Sequence, residues 1–215
     1  MRPPEMTNSR ACRRWAVPQF LAAVASLLIV GCETDKPNSA PPQSSTGGGS
    51  PYALRTNQPA TAQARPRIRI KAGVTAPYTD SAGNVWLADR GFADGETVDR
   101  VADLPIANTA DPAIYRTERY SMTAFSQPLP NGQYTVKLYF AETYEGITAP
   151  GDRVFTFHVE GREFKDFDIW QKAGGPLRAY VESVPVVIAD GKLDITFTSN
   201  IQNPAINAIE IIPAP

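Results

Sequence analysis

In the C-terminal two thirds of the chain, apolar and polar residues alternate in short runs. Residues 133–142 show this most plainly, because Tyr134, Val136, Leu138 and Phe140 fall on one side of an extended chain and polar residues on the other. A period of two residues is typical of a β-strand with one buried face. No stretch of twelve residues keeps the period of 3.6 that an amphipathic helix needs.

Turn signals separate these predicted strands. Asp190-Gly191 predicts a tight turn between two strands, and Pro130-Asn131-Gly132 and Glu160-Gly161 predict others. Short strands with turns every eight to twelve residues are typical of an all-β sandwich. The other predicted strands lie in residues 67–73, 153–160, 180–189, 193–198 and 205–212. Residues 67–213 are therefore predicted to form one β-sandwich domain around a single core.

The first 31 residues have a different pattern. Four arginines and one glutamate precede an apolar run from Ala16 to Val30, as in the n- and h-regions of a signal peptide. This run is shorter than the roughly 20 residues of a membrane-spanning helix. It ends in Ile29-Val30-Gly31-Cys32, which resembles a bacterial lipobox. A plain secretory signal and an uncleaved anchor helix are the alternatives.

The lipobox resemblance implies that residues 1–31 are removed and that Cys32 is lipidated. The mature chain would then be held in the cell envelope by acyl chains, which anchor a protein firmly when two or more are present. Cleavage would also remove Cys12, so no disulfide could form. Glu33 follows Cys32, and in lipoproteins of the enterobacterial type this favours the outer membrane.

Residues 32–66 are predicted to be a disordered linker. They are rich in Pro, Gly, Ser and Thr and almost lack large apolar side chains, so they cannot bury enough surface to offset the entropy of ordering. An ordered coat on the domain is the alternative.

Charge and composition exclude several function classes. The 21 basic and 22 acidic residues nearly balance, so we expect no nucleic-acid partner. With 1 His and 2 Cys, we expect no metal site and no cofactor. His158 falls on the polar face of its strand, where we expect it to be solvated, and the chain has no G-x-S-x-G, Walker or H-E-x-x-H motif. We therefore predict no catalytic residues, although hydrolysis by two carboxylates stays open.

Three segments carry more than strand pattern, namely residues 78–92, 111–120 and 129–144. Their order and spacing resemble the malectin domain, in particular the malectin-like modules of bacterial surface proteins. The likeness continues to residues 203–211 and covers residues 68–212. It implies a jelly-roll-like β-sandwich, related to the galactose-binding-like folds, that binds carbohydrate without cleaving it.

The resemblance also implies where a sugar would bind. Tyr120 and Tyr144 match two tyrosines that hold the sugar in the animal member of the family. Glu145 stands where an aromatic residue is expected, and Gln202, before Asn203, stands where an aspartate is expected. The implied ligand is an oligo- or polysaccharide, with glucose-containing glycans among the candidates.

The chemistry of the residues agrees with this assignment. Pyranose C–H faces pack on aromatic rings, while sugar hydroxyls need amide, carboxylate or guanidinium partners. Loops that combine these side chains are candidate sugar sites. The candidates are Tyr120, Tyr144, Glu145, Gln202, Asn203 and Trp86, the last with Asn84 and Asp89.

Structural alternatives apply to several of these residues. Trp86 lies between Val85 and Leu87 and is equally suited to a packed core. Arg116, Glu118 and Arg119 could form a structural ion network, and Glu142 shares the parity of the core face, which predicts a buried carboxylate paired with an arginine. Besides carbohydrate binding, a structural interaction module of the cell envelope and a glycoside hydrolase remain alternative functions.

Overall fold

The computed structural model describes residues 65–215. The predicted signal peptide, Cys32 and nearly all of the predicted linker lie outside these residues. The described part is built from strands, with one short 3-10 helix at Pro112–Tyr115 and one α-helix, α1, at Ile169–Ala173. The strands are β1 Ile68–Lys71, β2 Tyr78–Thr79, β3 Val85–Trp86, β4 Phe92–Asp99, β5 Thr117–Pro128, β6 Gly132–Phe140, β7 Val154–Val159, β8 Arg162–Phe167, β9 Tyr180–Ile188, β10 Lys192–Ile201, β11 Ala205–Ile206 and β12 Ala208–Pro213.

Two antiparallel sheets form the sandwich. The first contains four strands in the order β1-β12-β6-β9. The second contains six, in the order β11-β5-β10-β7-β8, with β4 paired to the other edge of β5. A two-stranded ribbon of β2 and β3 stands apart from them. This architecture confirms the predicted all-β, jelly-roll-like β-sandwich.

The core lies between the two sheets. From β6, the four residues predicted to share one face are all at most 1% exposed: Tyr134, Val136, Leu138 and Phe140. From β7, Phe155 and Phe157 point into the same core, and the Phe140 ring lies within 6.3 Å of both of their ring centroids. Burial of these large apolar side chains is the main stabilising contribution in such a domain.

A second apolar cluster covers the outer face of the four-stranded sheet. It contains Trp86, Ile114 and Tyr115 from the segment before β5, and it packs against Tyr139 and Ala208 of the sheet. For this reason residues 204–211 are buried on both sides, whereas the sequence pattern predicts two distinguishable faces for residues 205–212. A strand covered on both faces loses its polar alternation.

The connection at Asp190-Gly191 differs from a hairpin. Gly191 has a positive φ of 86°, as a tight turn requires, and strands flank it on both sides. However, β9 pairs with β6 in one sheet, while β10 pairs with β5 and β7 in the other. The turn therefore carries the chain from one sheet to the other. The register of hydrophobic residues predicts a strand but not the sheet to which it belongs.

Among residues 65–215, no helix is long and apolar enough to cross a membrane.

Candidate functional site

A hollow of about 440 Å³ opens at one end of the six-stranded sheet. We call it the first hollow. The end of β4, the start of β5, the loop after β6 and the turn between β10 and β11 supply its walls. Its size falls in the range of small-molecule sites. The lining residues are Thr97, Val98, Arg100, Glu118, Tyr120, Tyr144, Arg153, Gln202 and Asn203.

A partly buried ion pair in the wall of the first hollow joins Arg100, which follows β4, to Glu118 of β5. Arg100 Nη2 donates to Glu118 Oε1 at 2.9 Å, and the Glu118 side chain is only 4% exposed. The hydroxyl of Thr143 donates to Glu118 Oε2 at 2.8 Å and accepts a 3.2 Å bond from Arg100 Nε. Both oxygens of this carboxylate are therefore occupied, which fixes the orientation of the guanidinium beside it.

A second ion pair lies beside the first. Arg153 Nε donates to Glu142 Oε2 at 2.8 Å, and both side chains are buried. The backbone N–H of Tyr144 donates to Glu142 Oε1 at 3.1 Å. Burial raises the pKa of the Glu142 carboxyl above its ordinary value, and the Arg153 guanidinium opposes that rise. Arg153 Nη1 also donates to the backbone oxygen of Asn203, which ties the turn at Asn203 to the rest of the wall.

Two tyrosines line the first hollow. Tyr120 is half-buried on β5, and its ring packs against the core. Tyr144 follows β6 and is 46% exposed, one of the few large aromatic or aliphatic side chains so exposed among the described residues. Its ring lies directly over Gly146, where an added Cβ would come within 2.4 Å of the ring. Gly146 therefore leaves the space that the Tyr144 ring occupies.

Gln202 and Asn203 complete the rim. Gln202 is exposed and has a positive φ of 62°, in the left-handed region that non-glycine residues seldom adopt. Such backbone is often found at binding sites, where the surrounding structure holds it. Both residues line the first hollow, and the backbone N–H of Asn203 donates to Gln202 Oε1 at 3.4 Å.

A larger hollow of about 580 Å³ adjoins the first, and we call it the second hollow. Arg100 and Tyr144 line both hollows. Of the six predicted sugar-binding residues, four line the first hollow, and Glu145 lines only the second. The lining residues are Asp99, Arg100, Val101, Leu104, Glu142, Thr143, Tyr144, Glu145, Ile147, Pro176 and Leu177.

Trp86 does not belong to either hollow. It is 2% exposed and packs edge-on against Tyr139 at 5.2 Å between ring centroids. Its Nε1 donates to Asp80 Oδ2 at 3.0 Å, so its one polar group is satisfied inside the domain. The structure thus supports the packed-core alternative for Trp86, because the segment before β5 covers the ring that a sugar would need.

The residues grouped with Trp86 also have structural partners. Asn84 donates to Asp80, and Asp89 accepts three bonds from Arg119 and one from the backbone N–H of Gly73. Among residues 65–215, no group of three or more His, Cys, Asp or Glu side chains is placed to hold a metal ion.

Arg116, Glu118 and Arg119 do not form the predicted ion network, because each has a different partner. Arg116 Nε donates to the backbone oxygen of Leu104, and Arg119 pairs with Asp89. Arg116 precedes β5, and alternation along β5 places Glu118 and Arg119 on opposite faces, so Glu118 pairs with Arg100 instead. By contrast, the buried pairing of Glu142 with an arginine is confirmed.

Sequence reasoning missed Arg100 and Arg153 as site residues. Arg153 lies in the Gly151-Asp-Arg-Val-Phe segment, and the parity of Glu142 predicts an arginine partner without identifying it. Arg100 directly follows β4, a strand that turn signals do not mark, so no local pattern distinguishes it. His158 lies on β7 beside Glu163 at 3.6 Å, partly exposed as expected and away from the hollows.

The sequence is similar to plant receptor proteins over the same region. It is 33% identical over 142 residues to a probable leucine-rich repeat receptor-like serine/threonine-protein kinase of Arabidopsis thaliana, covering 56% of this chain and 14% of that protein. It is 38% identical over 165 residues to Receptor-like protein 4 of the same plant, covering 67% of this chain and 26% of that protein. The chain thus spans about a quarter or less of these relatives, which are plant and not bacterial proteins.

Solved structures share the fold. A β-glucuronidase of Bacteroides uniformis superposes with a TM-score of 0.63 at 19% identity, covering 70% of this chain and 18% of that one. The ANX1 ectodomain of Arabidopsis thaliana superposes with a TM-score of 0.59 at 18% identity, covering 68% of this chain and 47% of that one. At these identities the likeness shows the fold alone. The model of the malectin domain family matches residues 67–209, and the chain therefore belongs to that family.

Proposed function

We propose that this domain binds carbohydrate in the first hollow and does not cleave it. The observation that carries the proposal is the pairing of the exposed Tyr144 ring with a wall of fixed hydrogen-bonding groups, in a hollow of about 440 Å³. An exposed aromatic face suits the C–H face of a pyranose. The guanidinium and amide groups beside it suit the hydroxyls.

The ion pairs make the hollow rigid before a ligand arrives. Arg100 and Arg153 are each held by a buried carboxylate, so little side-chain entropy would be lost when a hydroxyl accepts a bond from them. Each guanidinium also keeps further N–H groups besides those that bind its carboxylate. A binding site for a neutral, polar molecule needs this combination of fixed donors and a nonpolar ring.

The state of the carboxylates favours binding over hydrolysis. A glycosidase needs one carboxyl to give a proton and another to attack or to activate water. Arginine and Thr143 donors hold both oxygens of Glu118 in the first hollow, while Arg153 and the Tyr144 N–H hold those of Glu142 in the second. Neither group is free to approach a glycosidic bond.

We further propose that the protein is exported and that Cys32 anchors it to the cell envelope, with the outer membrane as the favoured site. The ectodomain among the structural neighbours supports export of this fold. The kinase activity named for the plant relative does not carry over, since the matched residues make up 14% of that protein. Mass spectrometry of membrane-extracted protein tests the anchor. We expect diacylglycerol on Cys32 of the wild-type protein and none on the Cys32→Ser variant.

A glycan array followed by calorimetric titration tests the sugar-binding proposal. We expect wild-type domain to bind at least one neutral glycan, and Tyr144→Ala to weaken that binding at least tenfold. Tyr144 is exposed, so its replacement should leave the melting temperature nearly unchanged. Val85→Ala is the matched control, since Val85 is 55% exposed and lines neither hollow.

The alternative, a structural interaction module without a sugar site, gives a different result. In that case no glycan on the array binds, or binding is insensitive to both Tyr144→Ala and Tyr120→Phe. Release of reducing sugar from a bound glycan would instead support the glycoside hydrolase alternative, if Glu118→Gln or Glu142→Gln abolishes it.

A further inference from the structure

We propose that strand β8 pairs with β8 of a second copy of this chain and so joins two six-stranded sheets into one. The association is isologous, which means that the same strand edge serves both copies across a two-fold axis. It does not depend on sugar binding, so its test can fail while the proposed function stands.

Strand β8 has a free edge. It closes one side of the six-stranded sheet, and among residues 65–215 it pairs with β7 alone. The unpaired backbone groups of an edge strand are a template for another strand. The exposed side chains of this strand are Arg162, Glu163, Lys165 and Asp166.

The turn before β8 decides which backbone groups face outward. Glu160 and Gly161 have positive φ angles of 49° and 76°, as in a type I′ hairpin. Arg162 follows the turn and belongs to the pair that closes the hairpin. Because hydrogen-bonded pairs alternate with non-bonded ones along an antiparallel ladder, Glu163 directs its N–H and C=O groups away from β7. Lys165, two residues further on, does the same.

One register brings opposite charges together. The outward-facing residues of one copy must bond to those of the other, so Glu163 stands opposite either Lys165 or the Glu163 of the second copy. Like charges directly opposite each other are destabilising, whereas opposite charges stabilise a cross-strand pair. In the favoured register, symmetry forms the Glu163–Lys165 pair twice, and each pair exchanges two backbone hydrogen bonds. A lysine alone discourages pairing at an edge, but this glutamate complements it.

The ring of Phe164 lies at the two-fold axis of this register. It stacks on Phe157 with 4.5 Å between ring centroids and 7° between planes, and it is half-buried at the sheet edge. Facing residues of a non-bonded pair have Cβ atoms about 5 Å apart, so each Phe164 would cover the other. The exposed guanidinium of Arg162, 5.2 Å from the centroid of the same ring, would shift to admit the second ring. The aromatic row of the core then continues across the interface.

The other sheet edges lack this complementarity. Strand β9 contains Pro185, which has no N–H to donate to a further strand. Leu87 already bonds to the outer edge of β1. Strand β4 contains Asp94, Glu96 and Asp99 and no basic residue, so a second copy would meet the same charge.

The contact is short, which makes the association weak. Asp166 has a positive φ of 51° where the register between β7 and β8 shifts, and its N–H donates to Thr156 Oγ1 at 3.3 Å. A bulge bends an edge strand away from a partner. Pairing therefore ends at Lys165, and an interface of this size belongs to the transient class.

Sedimentation velocity of the full chain in a density-matched nonionic detergent, from about 1 to 500 µM, tests the pairing. We expect a monomer–dimer equilibrium in the wild type. Glu163→Lys and Lys165→Glu should each weaken dimerisation about tenfold or more, because each places like charges opposite each other. Lys172→Glu is the matched control, since it makes the same charge change on an exposed lysine of α1, and it should dimerise like the wild type.

A mixture of the two single variants tests the register. Each Glu163→Lys copy then meets a Lys165→Glu copy with opposite charges at both positions, so dimerisation should return to within about threefold of the wild type. Mixing does not repair a folding defect, so this rescue separates pairing from a structural role. A wild-type chain that stays monomeric at about 500 µM, a dimer that Glu163→Lys leaves intact, or a mixture that stays monomeric overturns the β8 pairing.

Discussion

Trp86 and Tyr144 are both aromatic residues close to a turn, and both are predicted from the sequence to contact sugar, yet the fold uses them in opposite ways. Trp86 is 2% exposed, with its N–H bonded to Asp80 and its ring against Tyr139. Tyr144 is 46% exposed, and its ring lies over a glycine. The first ring stabilises the domain, and the second is left open to a ligand.

The difference comes from what covers each ring. The segment from β2 to the 3-10 helix folds over the outer face of the four-stranded sheet and brings Ile114 and Tyr115 onto Trp86. The ring of Tyr144 is not covered in this way, since it lies over Gly146 and stays 46% exposed. An aromatic residue in a predicted loop is therefore a binding candidate only when no later segment packs on it.

The largest expected effect is the loss of stability when the buried Trp86 ring is removed. We expect Trp86→Ala to lower the free energy of unfolding by about 3–5 kcal/mol, because it removes a large buried ring and leaves a cavity beside Tyr139. Equilibrium unfolding in guanidinium measures this change. Val85→Ala, the exposed neighbour on the same strand, should change the free energy by no more than about 0.5 kcal/mol. Equal effects of the two substitutions would contradict the assignment of Trp86 to the core.

A buried cation near the same cluster should give a smaller, pH-dependent effect. Lys71 is 3% exposed, its Nζ donates to Thr117 Oγ1, and it lies 5.7 Å from the Tyr78 ring centroid. Burial lowers the pKa of Lys71 from 10.5 to about 8, against the attraction of Asp99 and Asp111. Between those two values the unfolded chain binds more protons than the folded domain, so the free energy of unfolding should rise with pH.

Replacing this lysine should remove that dependence. We expect Lys71→Met to raise the free energy of unfolding by about 2 kcal/mol at pH 7 and to lose its advantage as the pH approaches 10. Thr117 keeps its own bond to the backbone oxygen of Ala72, so no buried hydroxyl is left without a partner. Denaturation at four pH values from 7 to 10 tests this. Lys165→Met, on an exposed lysine, should follow the wild-type curve; a parallel curve for Lys71→Met would show that Lys71 does not titrate there.

Much of the fold follows from local pattern. The face of β6 that holds Tyr134, Val136 and Leu138 is readable from alternation alone, because a period of two forces one set of side chains inward. Sheet membership is not readable in this way. The Asp190-Gly191 turn has the same residues whether it joins paired strands or carries the chain between sheets, and only the packing of distant strands decides between them.

The candidate site is less accessible to sequence reasoning. Tyr120, Tyr144, Gln202 and Asn203 are found through family resemblance, and the structure brings them to one hollow. Arg100 is missed because its role depends on a buried carboxylate 18 residues away, on the neighbouring strand. Pairing across strands leaves no periodic trace in the sequence, whereas burial of an apolar face does.

The smallest expected effect concerns the exposed Tyr144, and the substitution that tests it keeps the Tyr144 ring. In Gly146→Ala the new methyl would lie within 2.4 Å of the Tyr144 ring. The ring is the free end of a side chain and must move, while the backbone need not, so we expect an unchanged melting temperature and a threefold to tenfold loss of glycan affinity. In a Tyr144→Ala background the same substitution should have no further effect, because additivity fails when two residues act through one contact. A full, additive loss in the double variant would show instead that Gly146 contributes to binding independently of Tyr144.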